Sequence, residues 1–265
     1  MTSAAVVFDR VSLAFDDNVV LREISFSLHT GHTKVLLGAS GSGKSVVLKL
    51  VLGLLRPDAG AVLVNGERID AMREPELMRV RADIGMLFQE SALFDSLTVA
   101  ENVGYRLAEE TRLPPADVRA RVEEVLGFIG LGEYVDRMPS ELSGGQRRRV
   151  AIARAIAARA RLVLFDEPVS GLDPITSKTV DHEIIKLRDL ERVTSIVVTH
   201  QLQDAFHIAT HEAVRDNGAI RIVPASPAKA DEAEFLMLKD GRIHFEGSAA
   251  ELRASTDPYL RKFLA

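Results

Sequence analysis

The sequence predicts a single α/β domain with a largely parallel sheet, an antiparallel β part beside it and an inserted helical subdomain. Three observations point there. Short apolar runs rich in Val and Ile alternate with longer stretches of helical period, as in a parallel sheet covered by helices. The opening segment alternates Val11, Leu13 and Phe15, as a half-buried antiparallel strand does. From about Ser91 to Arg159 the period is helical, which sets that stretch apart from the strands on either side.

After the opening strand, Lys34 to Leu37, Arg161 to Phe165 and Ser195 to Thr199 each read as a short buried strand. Each runs into a polar or glycine-bearing loop, where open α/β sheets place their ligands. An apolar helix, Val46 to Leu55, follows the first of these, and Ala61 to Val64 and Ile84 to Phe88 add strands to the antiparallel part. Val118, Val122, Val125, Leu126 and Ile129 recur at helical spacing after a Pro114-Pro115 start. Pro174 opens another helix, because its missing N–H would have no partner there anyway. Ala219 to Val223 reads as a strand, Pro224 to Ala233 as loop, and Phe235 to Phe245 as a hairpin turning at Asp240-Gly241. Asp257 to Leu264 forms an amphipathic tail. The predicted division is a core with its β part over about 1–90 and 160–250, helices over about 91–159 and a tail over about 251–265.

At 265 residues and 46% hydrophobic content, the chain can bury a full core. Its formal charge of -5, from 33 Lys+Arg against 38 Asp+Glu, leaves no basic excess for a phosphate backbone, so nucleic acid is not the expected partner. With no cysteine, disulfides, thiolate chemistry and Cys-based zinc sites are excluded. Met1 to Asp9 lacks a basic region with a long apolar stretch behind it, and no later segment reaches about eighteen uncharged apolar residues. A soluble, unexported chain is expected.

Gly38-Ala39-Ser40-Gly41-Ser42-Gly43-Lys44-Ser45 fits the phosphate-loop pattern, with the required strand before it and apolar helix from Val46 after it. Glycines let backbone N–H groups curl around a β-phosphate at a helix N-terminus. Lys44 supplies a point charge to the β and γ oxygens, and Ser45 offers a hydroxyl to Mg2+. Downstream, Leu162 to Phe165 runs into Asp166-Glu167. Asp166 would orient Mg2+, and Glu167 would polarise the water that attacks the γ-phosphorus.

Leu142-Ser143-Gly144-Gly145-Gln146, followed by Arg147 to Ala155, resembles the ABC signature and its helix, and with the phosphate loop it identifies the chain as similar to ABC ATPases over nearly its whole length. The resemblance implies a P-loop NTPase (RecA-like) core, ATP and Mg2+ as cofactors, and a second nucleotide-binding subunit whose Ser143, Gly144, Gly145 and Gln146 cap the nucleotide. A Ser hydroxyl, glycine N–H groups and a helix N-terminus make a second anion cradle. Arg147 to Arg149 are read as a solvated helix face. By the same resemblance, Phe15 stacks on adenine and Gln89 senses Mg2+. Asp173, in Ser170-Gly171-Leu172-Asp173, lies across the dimer interface, and His200 contacts the γ-phosphate. An inward, core-packed Phe15 is the competing reading, because Val11 and Leu13 share its alternation. His207 and His211 are read as surface or packing residues rather than metal ligands.

The Phe88-Gln89-Glu90-Ser91-Ala92-Leu93-Phe94 run, together with Met138 to Gly145 and the tail, looks like the ATPases of Mla-type transporters. That family moves phospholipid or other hydrophobic molecules across the bacterial envelope with transmembrane permease subunits and MCE-domain proteins. The resemblance places the chain at the cytoplasmic face of the inner membrane, held there through the permease. One departure stands out: roughly twenty extra residues, about 212–233, intervene before Glu234-Phe235 and read as an elongated hairpin or surface loop. The alternatives are an importer ATPase for a small solute, which shares every catalytic motif, and a non-transport ABC ATPase. The latter fits poorly with one cassette, no heptads and no basic patch. A nucleotide-binding module without turnover is disfavoured because Lys44, Asp166, Glu167 and His200 are all present in matching context.

Overall fold

The computed structural model describes residues 3–216 and 218–264. Val- and Leu-rich runs form six of its strands into one sheet: β3 (Thr33–Leu37), β6 (Ile84–Leu87), β7 (Leu162–Asp166), β8 (Thr194–Val198), β11 (Ala233–Lys239) and β12 (Arg242–Ser248). Their order is β12-β11-β3-β8-β7-β6, parallel throughout except for β12, which returns antiparallel along β11 after the Asp240-Gly241 turn. Ile84–Leu87 is therefore a parallel edge strand, paired Ile84 to Leu162 and Leu87 to Phe165, and not a member of the antiparallel part. A second sheet is antiparallel, in the order β2-β1-β4-β5, from β1 (Ala4–Phe15), β2 (Asn18–His29), β4 (Ala59–Val64) and β5 (Glu67–Arg68).

The helices are α1 (Lys44–Val51), α2 (Glu74–Arg81), α3 (Val99–Glu110), α4 (Pro115–Phe128), α5 (Gly144–Ala157), α6 (Pro174–Leu190), α7 (Leu202–Thr210), α8 (Pro227–Ala230), α9 (Ala249–Ala254) and α10 (Pro258–Leu264). Both faces of the main sheet are covered, and side-chain alternation divides the core accordingly. Leu36, Leu162, Leu164 and Ile196 face α1 and the antiparallel sheet. Val163, Phe165 and Val197 face the α3–α6 side, where Val122, Val125, Leu126 and Ile152 pack. Val35, Leu37 and Phe235 meet α7, α9 and the tail helix α10. Each such fully buried aliphatic side chain contributes about 1.5–3 kcal/mol relative to exposure.

The extra segment is a two-stranded hairpin separate from both sheets, β9 (His211–Asp216) against β10 (Ala219–Pro224). Pro224 to Ala233 is not all loop, because α8 forms there with Pro227 at its start. One carboxyl of α6, that of Asp181, is buried with no ion pair among the described residues. Burial, and then the charge of Asp204 on α7, pushes Asp181 up to about 9, so it is neutral at physiological pH and lets α7 lie against it.

Candidate active site

Four loops leave the main sheet and α1 at one end and meet around a cavity of about 590 Å3, lined by residues that include Ser40, Lys44, Ser45, Gln89, Glu167 and His200. Gly41, Gly43 and Val46 complete its phosphate-loop side, with Val20 of β2 packed against Gly43. The loop geometry requires glycine at its start: Gly38 has φ 149, and a Cβ there would stand 2.6 Å from the Leu238 carbonyl oxygen. Ala39 and Ser42 line an adjoining crevice of about 440 Å3, which Val20, Ser40 and Gly41 share. The helix begins two residues earlier than its apolar period suggested, with Gly43 capping it and Lys44 already in its first turn.

Lys44 is only 7% exposed, and its ammonium donates to the carbonyls of Gly38 at 2.8 Å and Ala39 at 3.0 Å. Burial pulls its pKa down, while the nearby Glu167 and Asp166 carboxylates pull it up. The Ser45 hydroxyl donates to Asp166 Oδ1 at 3.1 Å. Burial pushes the Asp166 carboxyl upward, and the Ser45 hydrogen bond opposes that. A hydroxyl and a carboxylate side by side, with Gln89 on the same cavity, form a hard-oxygen set that suits Mg2+. Glu167 has a left-handed backbone, φ 50, fixed by its N–H donating to Val198 O at 2.9 Å. Its Oε2 lies 2.8 Å from His200 Nδ1.

Other expected site residues lie elsewhere in the chain. Phe15 is 46% exposed beside the β1–β2 turn and lines neither crevice, so its ring is not in the core. Ser143 caps α5, accepting from Gln146 N at 3.2 Å, and the Gln146 side chain accepts from Ser143 N at 2.8 Å. Asp173 caps α6 through the backbone N–H groups of Ile175 and Thr176. The first turns of these two helices touch: a Cβ on Gly145 would stand 2.1 Å from Thr176 Cγ2, so only glycine allows the approach. His182, His207 and His211 cluster on α6, α7 and β9, with His207 lowered to about 4 by burial and then by its histidine neighbours. Among the described residues, no group of three or more His, Cys, Asp or Glu side chains could hold a metal ion.

The reading of Arg147 to Arg149 as a solvated face needs correction. Arg147 is exposed, but Arg148 is 5% exposed and donates to the carbonyls of Phe88 (3.0 Å), Gln89 and Ser170 (3.2 Å). Arg154, six residues on in the same helix, donates to the carbonyls of Ser91 and Ala92, both in left-handed conformation. Asn102 of α3 is fully buried and holds the turn after them through Phe94, Leu97 and Thr98. Helix α5 thus fixes both the Gln89 loop and the segment after Glu167. Arg148→Met, which keeps much of the stem but has no N–H, should destabilise the fold by about 2–4 kcal/mol, because three carbonyls lose a charged donor in a buried place. Urea unfolding measures this, and a loss below about 0.5 kcal/mol would mean that water replaces the guanidinium.

The family profile described as ABC transporter matches residues 21–170. The intermembrane phospholipid transport system ATP-binding protein MlaF of Escherichia coli strain K12 is 37% identical over 96% of this chain and 86% of that protein. The sulfate/thiosulfate import ATP-binding protein CysA of Gloeobacter violaceus is 36% identical over 98% of this chain and 74% of that protein. A dimeric post-hydrolysis structure of the ATP-binding cassette MJ0796, bound to ADP and Pi, aligns over 92% of this chain and 98% of that one, with a TM-score of 0.74 and 28% identity.

Proposed function

This chain belongs to the ABC transporter family as one of its ATP-hydrolysing subunits, and from that premise we propose that it drives the transport of phospholipid or another hydrophobic molecule across the bacterial envelope. It works there with a permease and an MCE-domain partner, at the cytoplasmic face of the inner membrane. Among the described residues, no helix is long and apolar enough to cross a membrane, which fits a subunit that reaches the membrane through others.

The phosphate loop and Lys44 hold the triphosphate, with Ser45, Asp166 and Gln89 on the Mg2+ side. Mg2+, when bound with ATP, offsets the charge of the phosphate oxygens. Glu167 takes the proton of the attacking water, and His200, hydrogen-bonded to it, fixes the carboxylate's direction and reaches toward the γ-phosphate. Phe15 offers its exposed ring to adenine. Ser143 to Gln146 and Asp173 of one copy face the nucleotide of a second copy, which explains why they stand apart from the cavity of their own chain.

The observation that carries the lipid reading is the Phe88–Phe94 run. Phe88 and Phe94 stay exposed on the rim of a groove of about 540 Å3, beside exposed Met78 and Tyr105, while the backbone beneath them is held by Arg148 and Arg154. A rigid apolar rim of this kind suits a permease helix, and the run is the part that most resembles Mla-type ATPases. The similarity to CysA keeps a small-solute importer as the second reading.

The test is reconstitution with a transmembrane permease of the Mla type. ATP turnover in proteoliposomes should rise several-fold when the matching MCE-domain protein is added. Stimulation by a small-solute-binding protein instead would sink the lipid reading and leave the ATPase assignment standing.

A further inference from the structure

The end of the main sheet away from the nucleotide loops also carries a groove, of about 460 Å3, where α5 and α6 finish and β7 and β8 begin. Arg121, Arg159, Arg161, Arg192 and Arg215 surround it, with Glu124 and Glu191 on the same rim and Val125, Ile156, Leu187 and Val193 in its floor. Arg121 is committed to Glu124 at 2.9 Å and to the carbonyls of Ile156 and Ala157. The other four are exposed, and among the described residues none has a side-chain hydrogen bond or ion pair. In a chain of formal charge -5, four unpaired guanidiniums around one opening are a local excess of positive charge.

Their placement is fixed by the fold. Arg159 and Arg192 sit in left-handed backbone, φ 57 and 56, just past the ends of α5 and α6. Arg215 belongs to the extra hairpin, and a buried ionic network pins that hairpin to α6. Arg188, 1% exposed, donates to the carbonyls of Ile208 at 2.9 Å and His211 at 2.6 Å. Asp189 accepts from Ala213 N at 2.7 Å and pairs with Lys229 at 3.1 Å.

We propose that this groove is the docking site for an acidic segment of a partner protein, with carboxylates paired to Arg159, Arg161, Arg192 and Arg215 and an apolar side chain laid on the floor. Guanidiniums take carboxylates bidentately. The two rim glutamates argue for a peptide, because carboxylates spaced along a chain can avoid them and a compact polyphosphate cannot. The groove shares no lining residue with the nucleotide cavity, so both can be filled at once.

The test pans a random dodecapeptide phage library on the native chain and on the Arg159→Glu/Arg192→Glu/Arg215→Glu variant. An acidic consensus with an interleaved Leu or Phe is expected from the native chain. The synthetic peptide should lose roughly tenfold or more in affinity on the triple variant and several-fold on Arg161→Gln, with thermal unfolding and ATP turnover unchanged. Three results would overturn the proposal: no acidic consensus, a consensus that binds both proteins alike, or displacement of the peptide by inorganic triphosphate at lower concentration than by free peptide. Self-association of the native chain that the triple variant abolishes would also overturn it, by giving the groove to a second copy.

Discussion

Glu167→Gln should keep ATP binding and lose steady-state phosphate release by roughly 100- to 10,000-fold, the share that a positioned proton acceptor supplies. The substitution is nearly isosteric. Its amide can still meet His200 Nδ1, 2.8 Å from the native Oε2, and the backbone hydrogen bond to Val198 is untouched. What disappears is the capacity to take a proton from water. Titration with a fluorescent ATP analogue and a phosphate-release assay on the same preparation separate the two effects. A variant that turned over at the native rate would show that another group positions the attacking water.

Lys44→Ala should act earlier in the cycle, by weakening nucleotide binding about 10- to 100-fold, which corresponds to the loss of charge-assisted hydrogen bonds. The ammonium donates to the carbonyls of Gly38 and Ala39 and so braces the loop from within. Alanine removes both that brace and the charge that meets the phosphates. Lys44→Arg should not rescue binding, because a planar fork is too wide for a site that buries the native side chain to 7% exposure. The same titration measures both variants, and native affinity in Lys44→Ala would remove the lysine from the phosphate site.

The parts of this site that were legible in the sequence are the local ones. A glycine-rich turn between a buried strand and a helix is specified within a dozen residues, and strands such as Leu162 to Phe165 announce themselves because parallel strands buried on both faces are apolar throughout. Direction was not legible for Ile84–Leu87, since pairing with β7 is decided by a connection that runs through three helices. Phe15 misled the alternation argument for a different reason. Val11 and Leu13 keep the alternation and stay buried, but Phe15 is the last residue of its strand, where the chain turns through left-handed Asp16 into β2, so nothing packs over its ring. Arg148 misled by its charge: with Ala151, Ile152 and Ala155 at i+3, i+4 and i+7 its period puts it on the buried face of the helix, but the carbonyls that satisfy it belong to the Gln89 loop, some sixty residues away. Nor does anything around Asp181 announce a carboxyl that stays protonated, because its burial depends on α7.

Gly145 lacks a side chain because Thr176 already fills that space. The tips of α5 and α6 are consequently cast as one piece, and neither can slide without colliding with the other or leaving a hole behind it. Whatever a neighbouring copy feels from this chain, it feels from both tips together. A methyl group added at position 145 would demand something smaller than threonine at position 176, so any drift at one of these sites should be matched by drift at the other.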